Sequence, residues 1–84
     1  MKNKHYVYIL RSVSHPDQIY IGHSENIENR MEYHANPKPT AYTSKYAPWE
    51  LETYIVFKNI KLAQEFEPYL KSHSGRAFLR KRLI

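Results

Sequence analysis

Five polar side chains in this sequence are of types that do acid–base or phosphate chemistry: Tyr8, Tyr20, Arg30, His34 and Glu67. Arg30 and His34 are four residues apart, so on a helix they share a face and could both meet one anionic group. Glu67 lies far along the chain, close to a basic C-terminal segment. An acid, a base and an arginine fit phosphoryl chemistry. They also fit an ordinary surface ion pair, which is the commoner arrangement. Spacing alone leaves both readings open.

The elements that must position these residues can be read from the pattern. Tyr6-Val7-Tyr8-Ile9-Leu10 is a short apolar, aromatic and β-branched run, predicted as a strand. A turn composition, Ser12 to Asp17 with Pro16 before Asp17, separates it from a second strand, Gln18 to Gly22. The two are close enough to form a hairpin, with Ile19 and Ile21 on one side and Tyr20 on the other. Gly22-His23-Ser24 is predicted to open a helix capped by Ser24, with Glu25 and Glu28 in its first turn and Ile27 and Met31 as its apolar stripe. Residues 36–48 hold three prolines and no glycine and read as a long loop. Trp49 to Phe57 alternates as a third strand, with Leu51, Thr53, Ile55 and Phe57 on one face. Asn59 starts a helix carrying Leu62, Ala63, Phe66, Tyr69 and Leu70, broken at Ser74-Gly75. A last helix runs from about Arg76. The predicted order is β-β-α-β-α-α, an α+β fold with a small sheet flanked by helices.

Composition narrows the class. The chain has 84 residues, enough for one domain, taken as 1–84, with a modest core. There is no cysteine, so no disulfide framework and no thiolate site. No run of about 18 apolar residues is present to span a membrane, and a cytoplasmic location is the expectation. The net charge is +5, and it is not spread evenly. Residues 1–70 sum to zero. Lys71, Arg76, Arg80, Lys81 and Arg82 have no acid among them and hold the whole excess. Such a segment is the footprint of a polyanion partner, or else a solvated helix whose cations suit the negative end of its dipole.

The tripeptide Tyr6-Val7-Tyr8, then Tyr20-Ile21-Gly22 after a short turn, then Arg30 eight residues past that glycine, resembles the GIY-YIG endonuclease superfamily. Within it, the chain is similar to small stand-alone proteins related to the N-terminal nuclease domain found in excinuclease. His34 falls where many members have a histidine one turn after the arginine. The stretch from Ala63 to Lys71 resembles the family's acid, two residues and an apolar–lysine pair, and Ser72 to Leu79 resembles the closing segment of the short members. The resemblance implies a three-stranded antiparallel sheet between helices. It also implies metal-dependent hydrolysis of phosphodiester bonds in DNA.

Under the resemblance, Tyr20 would be the general base; a free phenol has a pKa near 10, so a nearby cation must favour the phenolate. Tyr8 would support the proton transfer. Arg30 would stabilise charge developing on the phosphate, to which its planar fork is suited. His34 would bind the phosphate or the leaving oxygen. Glu67 would hold one Mg²⁺ or Mn²⁺. Gly22 would be structural, allowing a tight passage from strand to helix. Lys38, Lys45, Lys71, Arg76, Arg80, Lys81 and Arg82 would contact nucleic acid. Such contacts position without specifying sequence, so binding is expected to be structure-guided and salt-sensitive, by a monomer or weak dimer.

Three departures from the family pattern stand out. Tyr6 replaces the usual first glycine. No Asn follows Asn59, although many members carry one beyond the metal-binding acid. Pro68 directly follows Glu67, which predicts a kink there or a helix that begins there. A catalytically impaired nucleic-acid-binding module is therefore an alternative, as is a small partner subunit of a DNA-processing complex.

Overall fold

The computed structural model describes residues 4–35 and 42–84. The first strand, β1, spans His5–Ser12, and β2 spans Ile19–Ser24. Helix α1 covers Ile27–Ala35, a 3-10 turn covers Tyr42–Tyr46, and β3 covers Trp49–Phe57. Helices α2, Ile60–Lys71, and α3, His73–Arg82, close the chain. The sheet is antiparallel throughout, in the order β2-β1-β3. This is the expected β-β-α-β-α-α arrangement. Among the described residues no helix is long and apolar enough to cross a membrane.

Strand β1 is central, paired along both edges, and side chains on both of its faces are buried. Val7, Tyr8, Ile9 and Leu10 are all 2% exposed or less. This explains why its sequence is a continuous apolar run rather than an alternating one. Val7, Ile9 and Ile21 share one face and pack with Ala63, Leu70 and Leu79 of α2 and α3 into the core. The opposite face carries Tyr8, Leu10, Tyr20 and Gly22: Tyr8 pairs with Gly22, and Leu10 with Tyr20.

Four local readings are corrected. Leu51 does not share a face with Thr53, Ile55 and Phe57. Ile9 pairs with Thr53 and Leu10 with Leu51, so Glu52 is the extra residue of a bulge that flips the alternation. Ser24 is not the cap of α1. It ends β2, where its hydroxyl accepts from the Asn26 amide, and the Asn26 side chain then accepts from the Asn29 amide at 3.0 Å. The 3-10 turn gives part of the expected 36–48 loop regular structure. The break between α2 and α3 falls at Ser72 rather than Ser74-Gly75. Ser72 Oγ donates to the Tyr69 carbonyl and accepts from the Gly75 amide, ending one helix and starting the next. Gly75 lies inside α3, where a Cβ would run into the carbonyl of Tyr69.

Candidate active site

Tyr8 and Tyr20 come from neighbouring strands and meet on the sheet face away from α2 and α3. Their ring centroids are 6.3 Å apart. Tyr8 is 2% exposed, while Tyr20 is half-buried. A phenol as enclosed as Tyr8 is not open to a substrate atom. Its ring lies over Gly22, where a Cβ would overlap Cζ and Oη of Tyr8. Gly22 is mid-strand and has no positive φ. Its role is therefore corrected: it makes room for Tyr8 and does not turn the chain into a helix. Trp49 closes the other side of Tyr20, with ring centroids 6.2 Å apart.

Strand β2 is an edge strand, and α2 and α3 pass beside it. Ile19, Tyr20 and Ile21 line a groove of about 180 Å³ together with Lys71 and Arg76. Lys71 ends α2, and Arg76 is in the first turns of α3. Glu67 is one turn before Lys71, and the Lys71 ammonium donates to Glu67 Oε2 at 2.8 Å. The groove thus sets two cations beside the strand that carries Tyr20, and a carboxylate is tied to one of them.

Pro68 neither starts α2 nor breaks it. Helix α2 runs from its Asn59 cap, whose side chain accepts from the Lys61 and Leu62 amides, through Pro68 to Lys71. Pro68 is exposed, and it offers no N–H to the Gln64 carbonyl one turn earlier. Glu67 accordingly keeps a helical position one turn from Lys71.

The remaining residues are placed less closely. Arg30 is exposed on α1. Lys38 and the His34 side chain lie outside the described residues. Lys45 sits on the 3-10 turn with its Nζ 5.3 Å from the centroid of the Tyr46 ring, a cation–π contact apart from the groove. Arg80, Lys81 and Arg82 are exposed at the end of α3. Only Arg80 follows Arg76 by four residues and shares its side of the helix; Lys81 and Arg82 are turned away from Arg80 by roughly 100° and 200°.

Chemically, the groove can bind an anion at the edge of the strand that carries the Tyr20 phenol on its other face. Glu67 offers a single hard oxygen ligand. Among the described residues no three His, Asp or Glu side chains gather to hold an ion. A Mg²⁺-like cation tolerates such a sparse protein contribution, because it keeps waters and takes oxygens from substrate phosphate. Two features of the site went unread in the sequence. Trp49 meets Tyr20 only through strand pairing, which no local pattern reveals. The Glu67–Lys71 contact did leave a signal, an i,i+4 spacing of opposite charges.

Comparisons with known proteins bear on the family and the fold. The GIY-YIG catalytic domain family matches residues 4–82. A UPF0213 protein from Oceanobacillus iheyensis is 34% identical over 71 residues, covering 84% of this chain and 80% of that protein. Another UPF0213 protein, from Clostridium perfringens, is 35% identical over 66 residues, covering 79% and 69%. The solution structure of a UPF0213 protein from Bacillus halodurans superposes with a TM-score of 0.56 at 28% identity, covering 93% of this chain and 83% of its own. The strands, the tyrosine pair and these matches together show that the chain belongs to the GIY-YIG catalytic domain family, a family of nucleases.

Proposed function

We propose that residues 1–84 act as one stand-alone, metal-dependent endonuclease domain that hydrolyses phosphodiester bonds in DNA. The observation that carries the proposal is the β2-edge groove, which Tyr20 lines with Lys71 and Arg76, Glu67 being held by that lysine. Water would attack phosphorus in line, forming one P–O bond as the bond to the leaving oxygen breaks. The Tyr20 phenolate would take the proton from water. Tyr8, packed against it, would hold its ring in place. Arg30 would reach the phosphate from α1 and stabilise its developing charge, and His34 would bind the phosphate or the leaving oxygen. Glu67 would hold one Mg²⁺ or Mn²⁺, which when bound supplies positive charge to the reacting phosphate. Arg76, Lys71, Arg80 and, further out, Lys38, Lys45, Lys81 and Arg82 would track the backbone. Phosphate contacts of this kind carry no base information, so the choice of target would follow substrate structure rather than sequence. A monomer or weak dimer in the cytoplasm fits this reading.

The test is a panel of supercoiled plasmid, branched DNA, single strands and RNA, with Mg²⁺, with Mn²⁺ and with chelator. The expected result is metal-dependent cleavage of DNA. Arg30→Ala should lower the rate by about 10²- to 10³-fold, the cost of removing one preorganised donor. Tyr20→Phe and Glu67→Ala should abolish cleavage. Metal-independent cleavage, or full activity in Tyr20→Phe, overturns the proposal.

A second reading is favoured by one observation. Lys71 already neutralises Glu67 at 2.8 Å. If that pair never opens, the domain binds nucleic acid without cutting it. Binding across the panel with no cleavage under any metal would establish this reading.

A further inference from the structure

The Glu67–Lys71 contact is also the most informative feature outside the tyrosine pair. Lys71 Nζ lies 2.8 Å from Glu67 Oε2, and the two side chains are 48% and 27% exposed, lysine first. The same lysine lines the groove with Tyr20 and Arg76. One ammonium therefore stands between a carboxylate and a surface suited to phosphate. A divalent cation cannot take that carboxylate at full strength while a positive charge rests on it. An exposed i,i+4 pair is weak, however, biasing its equilibrium by only about twofold. A backbone phosphate in the groove would compete for Lys71 on favourable terms, and its four-carbon stem lets the ammonium swing without moving α2.

We infer that Lys71 is a positioning residue, an internal counter-ion that gives up Glu67 to a substrate phosphate and so couples cation binding to nucleic-acid binding. The inference rests on the reading of Glu67 as the cation ligand. It makes the site responsive to substrate: the lysine's charge opposes a cation at Glu67 until a polyanion draws that charge away. Coupling of this kind is reciprocal, so the cation must tighten nucleic-acid binding by the same factor. A purely structural pair, securing the last turn of α2, makes no such demand.

The test is Mn²⁺ affinity, read from the electron paramagnetic resonance signal of the free ion. It is measured with and without a DNA oligonucleotide, in a Tyr20→Phe background that leaves the DNA intact. Without DNA, Lys71→Met should tighten Mn²⁺ by about five- to tenfold, the scale of one unit charge near a divalent ion in a solvated site. With DNA, both proteins should tighten, because phosphate oxygens add ligands, and the parent should gain more than Lys71→Met by about the same five- to tenfold factor. Lys71→Arg should restore the DNA effect. Circular dichroism of each variant confirms that α2 is intact. Unchanged or weaker Mn²⁺ binding by Lys71→Met, with binding still lost in Glu67→Gln, overturns the inference and leaves the cation reading standing. Mn²⁺ binding that is indifferent to Glu67→Gln, with or without DNA, overturns both.

Discussion

Single atoms decide the geometry around Tyr8. Its ring occupies the space over Gly22 that any side chain would need. Gly22→Ala should therefore destabilise the fold by about 1–3 kcal/mol, the usual cost of overpacking a filled site. The cost should show as a lowered midpoint in urea unfolding. Shrinking the ring by Tyr8→Leu in the same chain should recover part of the loss, a coupling that a double-mutant cycle measures. Additive effects of the two substitutions would mean that the ring does not rest on Gly22. The sequence made Tyr8, Tyr20 and Gly22 stand out, because their tripeptides resemble a family signature. It could not say why the glycine is there, since that depends on Tyr8 being its direct partner across β1 and β2. Nor could it find Trp49 beside Tyr20, for the same reason: register is a property of two strands.

At the scale of elements, the strands and helices were legible where one periodicity runs unbroken. The order β-β-α-β-α-α, the extent of β3 and the Asn59 cap followed directly from pattern and capping chemistry. The errors lie where a local irregularity resets the pattern. The extra residue Glu52 turns Leu51 to the other face, and a strict alternation cannot anticipate it. At the α2–α3 junction, Gly75 resembled a helix stop by composition, but its small size serves the close approach of the Tyr69 carbonyl. The stop is Ser72, which satisfies a carbonyl of one helix and an amide of the next through one hydroxyl. Ser72→Ala should cost about 1 kcal/mol, the typical value for a lost cap. The junction also sets where Lys71 and Arg76 stand, because one residue precedes it directly and the other follows in the first turns of α3. Ser72→Ala should consequently weaken DNA binding as well as stability. A variant with reduced stability but unchanged affinity would show that the groove does not depend on this cap.

Across the whole molecule, the two edges of the sheet differ in character. By the end of β3, Phe57, Leu62, Phe66 and Tyr69, with Glu65, line a mostly apolar groove. Beyond β2, the groove is lined by Lys71 and Arg76. The +5 excess read from the sequence is thus not one patch. Arg76 and Arg80 share the β2 side of α3, while Lys81 and Arg82 rotate away from it. If the β2 edge carries the nucleic-acid backbone, charge should matter by position rather than by count. Each phosphate contact contributes about 0.9 to the slope of log affinity against log salt on duplex DNA. Neutralising Arg76 and Arg80 together should reduce that slope by about 1.8. Neutralising Lys81 and Arg82 removes the same formal charge and should change it far less. Titrations of one duplex at several salt concentrations, followed by fluorescence anisotropy, compare the two double variants directly. Equal reductions would mean that the basic segment acts as a diffuse cloud of charge. Unequal ones, in this order, would place the backbone along the edge where Tyr20 sits and bring a phosphate within reach of Lys71.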